Sequence, residues 1–175
     1  MPHPPIIVPE VGRGGEKDAG KTVEAARRAA LSIKKERPTT IILTTPHGPV
    51  FQDYIYMSLS ETLEGNFSRF GSDAGLSFKN NVGLVNDIIS YARKSANISC
   101  GGLDEEVAKR YRVSRELDHG ALVPLYYINR EYSDFKLVHI SIAGFPLNEL
   151  YRFGMCISKA IGESDERVVF IASGD

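Results

Sequence analysis

Thr40 to Thr45 is a short run of β-branched residues with one leucine, and it constrains the fold more than any other stretch. Such a run makes a buried strand, and Pro46, which cannot donate to a sheet ladder, ends it. Behind it His47 is held between Pro46 and Pro49, with Gly48 giving the backbone a freedom other residues lack. His47 therefore sits on a stiff turn at the carboxyl end of a strand, the edge at which open α/β sheets bind ligands. The plainer alternative is a turn histidine that only faces water.

The chain of 175 residues is 42% apolar, enough for one domain with a proper core. Its 22 acidic and 21 basic residues leave no field to attract a polyanion, so a small molecule or a protein is the expected partner, with no nucleic acid and no membrane. Cys100 and Cys156 are too far apart to form a disulfide scaffold or a metal knuckle. A cytoplasmic location is the expectation, since no leader-like stretch and no bilayer-length apolar run is present.

Strands and helices alternate along the chain. A short Ile6-Ile7-Val8 run follows His3. Glu16 to Glu36 carries Val23, Ala26, Ala30 and Ile33 at helical spacing and stops before Pro38, which predicts an amphipathic helix. Val50 to Leu59 reads as a second extended segment, and residues 60 to 75, rich in Gly and Asn, as a surface loop. Val82 to Ala96 predicts a helix, Ile98 to Gly102 a short strand, and Asp104 to Arg115 a charged surface helix. Leu117 to Ile128 is apolar around Asp118, His119 and Gly120. Phe135 to Ile142 predicts a strand, Leu147 to Gly162 a helix with Leu150, Phe153, Ile157 and Ile161 inward, and Arg167 to Ala172 a last strand. The sum is an α/β domain with a largely buried sheet.

Two motifs compete for the chemistry. Gly15 to Thr22 satisfies the phosphate-loop pattern, which would make the chain nucleotide-binding. A working loop follows a buried strand, however, and here Pro9 to Gly14 intervene, while Glu16 and Asp18 would put carboxylates into a phosphate cradle. The second motif is a set of histidines on rigid turns: His3 between prolines, His47 between prolines, and His119 between Asp118 and Gly120. Pre-aimed imidazoles suit a divalent metal, and His119 suits proton transfer beside it. The blander reading of each is a hydrogen-bonded turn or cap residue. His139, inside a strand, reads as a satisfied core histidine.

Pro-His-Pro-Pro-Ile-Ile-Val-Pro-Glu-Val-Gly at the start, Thr-Pro-His-Gly-Pro at 45 to 49, Phe-Ser-Arg-Phe-Gly at 67 to 71, Leu-Asp-His-Gly-Ala-Leu-Val-Pro-Leu at 117 to 125 and Val-Val-Phe-Ile-Ala-Ser-Gly-Asp at 168 to 175 resemble the class III, LigB-type extradiol dioxygenase superfamily. The resemblance leans to its AmmeMemoRadiSam protein B and Memo-like branch. It implies a single LigB-like α/β domain over residues 1–175, with a mostly buried mixed sheet flanked by helices. Catalytic members hold a non-haem Fe(II) through two histidines and a carboxylate and use O2 to cleave a catechol-type aromatic substrate beside its diol; some relatives hold Zn. By motif, His3 and His47 are the implied metal ligands. His119 is implied to contact substrate or oxygen, with Asp118 either orienting it or capping the next helix.

Members of the family continue beyond Ser-Gly-Asp to a further catalytic histidine and the third ligand, and an apolar strand precedes the first histidine. The domain is therefore expected to be truncated at its C-terminus and short at its N-terminus. A completing subunit, a homo-oligomer or recruitment of Asp175 as substitute ligand are the ways the site would close. A non-enzymatic Memo-like module binding a metal or a peptide in the same cleft is the rival reading.

Overall fold

The computed structural model describes residues 1–174. The chain opens with a 3-10 turn at Pro5–Ile7, one helical turn, α1, at Pro9–Gly12, and a second 3-10 stretch at Gly15–Ala19. Helix α2 then runs over Gly20–Glu36, starting later than the charge pattern suggests. The delay has a local cause: Gly14 takes a left-handed turn (φ 106) and its N–H donates to the Glu16 carboxylate at 2.7 Å, holding these residues in a tighter coil. The phosphate-loop string thus lies in that coil and in the first turn of α2, with α1 rather than a strand ahead of it. Arg37 in left-handed conformation (φ 46), followed by Pro38, ends α2.

Strand β1 occupies Thr40–Thr45, as its β-branched run requires. Strands β2 (Ile55–Tyr56), β3 (Thr62–Asn66) and β4 (Gly75–Lys79) follow, then helix α3 (Val82–Tyr91), which closes in a π turn at Ala92–Ala96. After them come β5 (Cys100–Gly101), α4 (Glu105–Tyr111), α5 (His119–Glu131), β6 (Lys136–Ser141), α6 (Leu147–Gly162) and β7 (Val168–Ala172).

The centre is a parallel sheet in the order β6-β1-β7, with Thr40 paired to Lys136 and to Val168. β1 is covered on both faces, which is why its sequence is an unbroken apolar run rather than an alternation. Ile41 and Leu43 face Ala26, Ala30 and Ile33 of α2 and Leu122 and Leu125 of α5. Ile42 faces the other way, into Leu84, Val85 and Ile88 of α3 and Phe153 and Ile157 of α6. Each fully buried Ile or Leu contributes about 1.5–3 kcal/mol. An antiparallel bridge, Met57 to Ile140, joins the β2-β5 pair to β6 and makes the layer mixed.

Two expectations need correction. Only Ile55 and Tyr56 of the segment Val50 to Leu59 form a regular strand. Residues 60 to 75, expected to be a loop, supply the first arm and the turn of the β3-β4 hairpin, and its second arm runs on from Gly75 to Lys79. Along β3, Leu63 and Gly65 point inward while Thr62, Glu64 and Asn66 are exposed. Gly65 is a strand residue because a Cβ there would lie 2.5 Å from the Leu117 carbonyl oxygen, so the backbones can touch only at glycine.

At the amino edge of the sheet the Glu166 carboxylate gathers the starts of three elements. It accepts from Thr40 Oγ1 at 2.9 Å, from Asn81 Nδ2 at 2.8 Å and from the Thr39 hydroxyl, with the Lys136 ammonium 3.9 Å away. Partial burial would raise this carboxyl, but the bonds from Thr39, Thr40 and Asn81 and the Lys136 charge outweigh it and hold its pKa below the ordinary value. Glu166→Ala leaves the buried Thr40 hydroxyl without this acceptor and the Asn81 amide with Thr40 Oγ1 alone, and is expected to cost about 1–3 kcal/mol in urea unfolding. Because the folded pKa is depressed, that advantage is complete above the unfolded value near pH ~4.3 and shrinks as pH falls through the folded one. A gap between wild type and variant that widened in acid would refute this assignment.

Candidate metal centre

Every side chain of the candidate site hangs from the carboxyl edge of the parallel sheet. β1 ends at Thr45, whose Oγ1 accepts the His47 N–H at 3.2 Å and so folds the Pro46–Pro49 turn back on the strand. That turn packs so closely on the end of β6 that a Cβ at Gly48 would lie 2.1 Å from Ser141 Oγ. The N-terminal segment is moored to the end of β7 by the Met1 ammonium on the Ala172 carbonyl, 2.5 Å, and by Gly174 N–H on the Met1 carbonyl, 3.1 Å. His3 is thereby buried, at 3% exposure. His119 is the first residue of α5, directly behind the N-cap Asp118.

These three histidines, remote in sequence, converge. His3 Nε2 and His47 Nε2 are 2.9 Å apart, the His47 and His119 rings stack with centroids 4.1 Å apart, and His3 meets His47 edge-on at 4.8 Å. One ring nitrogen from each of the three lies within 4.8 Å of the others. Ser173, just past β7, has its hydroxyl 2.9 Å from His3 Nδ1 and donates to the Gly120 carbonyl at 2.6 Å. Over the histidines lies a cavity of about 520 Å³ whose lining includes His47, Asp118, His119, Phe70, Arg69 and Arg112.

Residues 1–175, the whole chain, match the family described as the catalytic LigB subunit of aromatic ring-opening dioxygenase. The chain belongs to the LigB family. It is also 42% identical over 178 residues to Protein CA_C1420 of Clostridium acetobutylicum, whose name states no activity. The match covers 100% of this chain but 37% of that relative, so the LigB chain spans little more than a third of the relative's length.

The donor set of the LigB chain fits a divalent ion. Imidazole nitrogens about 2 Å from a metal stand roughly 3 Å from each other when adjacent in its coordination sphere, close to the separation of His3 and His47. Among the described residues the ligand group is all histidine, without the carboxylate that the family resemblance implies. Asp175, the expected substitute, lies outside the described residues. No helix of the described chain is long and apolar enough to cross a membrane.

Asp118 is the N-cap of α5. Its carboxylate accepts from Thr45 Oγ1 at 2.6 Å and from the Ala121 N–H at 3.3 Å, and lies 3.3 Å from His139 Nε2. Of the two roles weighed for it, capping α5 is the one the contacts describe. Burial would raise the Asp118 carboxyl, yet hydrogen bonds from His139 and Thr45 and the charge of His139 prevail and lower its pKa. His139 is a buried, partnered histidine, as its place in a strand suggests, and it stands directly behind the site. Its neighbour in the sheet explains this: Leu43 pairs with His139 and Thr45 with Ser141, so both β6 side chains share the face on which α5 begins. Thr45 and Ser173 fall inside the motifs at 45 to 49 and 168 to 175, but a hydroxyl alone announces no role, and it is the parallel register that brings the two to the site.

Proposed function

We propose that the LigB chain holds a divalent metal, Fe(II) with Zn as the alternative, through His3 and His47, and acts as an extradiol dioxygenase on a catechol-type aromatic substrate. The observation that carries this reading is the meeting of His3, His47 and His119 at the carboxyl edge of the sheet, beneath an open cavity. Bound Fe(II) would supply the redox chemistry with O2 and a Lewis acid for the diol. The protein's own share is positioning and charge. His119, stacked on His47 and edge-on to Phe70 at 5.3 Å, offers a hydrogen bond to a substrate hydroxyl, and Phe70 an apolar wall for the ring. Arg69 and Arg112 line the cavity, and neither forms an ion pair with a described residue. Glu116 opposes them, but Asp118 is committed to His139, so a carboxylated catechol is favoured over a neutral one.

The same nitrogen cluster supports a second assignment, in which His119 is a third ligand. Metal content of His119→Ala separates the two, since it is retained if His119 only contacts substrate and lost if it coordinates. The reaction itself is tested by oxygen uptake after anaerobic loading with Fe(II), using catechol and 3,4-dihydroxybenzoate. We expect uptake with both and faster turnover at low concentration of the acid. A protein replete with metal that consumes no oxygen with either would favour the Memo-like binding module.

A further inference from the structure

We infer that Pro124 and Ser173 are a positioning pair that fixes the tautomer in which His3 meets the metal, an inference that rests on the metal-centre reading above. Pro124 stands inside α5, where proline is costly, and has no N–H to give to the carbonyl four residues back. That carbonyl belongs to Gly120, and it accepts instead from the Ser173 hydroxyl at 2.6 Å. A hydroxyl has one hydrogen. With it committed to Gly120, Ser173 Oγ can only accept at the 2.9 Å contact with His3 Nδ1. His3 therefore carries its proton on Nδ1 and presents the Nε2 lone pair to the site, as a metal-bound imidazole must.

The consequence reaches His47. In the metal-free protein the proton lying between the two Nε2 atoms, 2.9 Å apart, belongs to His47. A metal that takes both nitrogens requires His47 to hold its proton on Nδ1 instead, whereas His3 needs no rearrangement. The first ligand is preset by segments far apart in the chain, the N-terminal arm, the start of α5 and the end of β7. A missing backbone N–H thus sets the lone pair of a ligand.

Two measurements test the pair together. In 15N spectra of the imidazoles of the metal-free protein, above the pH at which histidines are charged, His3 is expected with Nε2 bare and His47 with Nε2 protonated. Zn(II) affinity, read by competition with a chelator, is expected to fall about ten- to hundredfold in Ser173→Ala, with mixed His3 tautomers, and to return in Ser173→Thr. Pro124→Ala, whose new N–H competes for Gly120, should fold at least as stably yet bind Zn(II) several-fold more weakly. Packing alone would lower stability and leave the tautomer untouched. A protonated Nε2 on His3 in wild type, wild-type affinity in Ser173→Ala, or wild-type affinity in Pro124→Ala would overturn the pair. Wild type that binds no Zn(II) would overturn the metal-centre reading itself, whatever the tautomer.

Discussion

His47→Ala, loaded anaerobically with Fe(II) or Zn(II) and dialysed, is expected to retain almost no metal, with an affinity loss of more than about a hundredfold. The scale follows from comparison: removing a partner of a ligand already costs about ten- to hundredfold, and removing the ligand costs more. His47 is the cleaner of the two substitutions. It is exposed, and its backbone N–H stays on Thr45 Oγ1, so the turn should survive and the circular dichroism should match wild type. His3→Ala should lose metal equally but also stability. His3 is almost fully buried, and its loss leaves the Ser173 hydroxyl without the donor at 2.9 Å, a cost of roughly 1 kcal/mol. Metal content equal to wild type in both variants would remove the two imidazoles as ligands.

What could be read in the sequence follows the geometry of burial. β1 is legible to the residue because strands covered on both faces are apolar without interruption, and α6 because Leu150, Phe153, Ile157 and Ile161 return to one face, the middle two buried and the outer two packed against the core. α5 is announced only by its candidate cap, Asp118, and shows no helical period of its own. Its residues are buried almost all round from Gly120 to Ile128, which erases the amphipathic period, and Pro124 reads as a break. The β3-β4 hairpin is hidden for a related reason: Gly65 and Asn66 are turn residues by type, yet Gly65 marks a contact between backbones. Of the site, the stiff turn carrying His47 was visible as a turn, but nothing in spacing alone brings residue 3, residue 119 and residue 173 together. That takes a parallel register aligning the ends of β1 and β7, with the N-terminal arm tied to the latter.

Asp118→Ala is expected to be the most destabilising single change at the site, at about 3 kcal/mol, or roughly a 6–12 °C fall in melting temperature. Three losses act at once. α5 loses its N-cap, about 1 kcal/mol. The Thr45 hydroxyl, fully buried, loses the acceptor at 2.6 Å, and His139, 1% exposed, loses its only carboxylate among the described residues, each at about 1–3 kcal/mol. The three share one carboxylate, so they sum to less than their separate values. Asp118→Asn separates them, since one amide oxygen can still cap α5 and accept from Thr45 while the charge facing His139 disappears; it should cost about half as much. The pH dependence carries a second signature. With its folded pKa depressed, the carboxylate contributes fully above the unfolded value of about 3.9 and less as pH falls through the folded one, so wild type and Asp118→Asn should converge in acid. Metal affinity should fall in Asp118→Ala and stay near wild type in Asp118→Asn, because the Thr45 hydroxyl that accepts the His47 N–H is itself held by Oδ1 of Asp118, an oxygen the amide retains. If Asp118→Ala melted within about a degree of wild type, the hub would be no more than a surface cap, and the histidines would owe their convergence to the prolines alone.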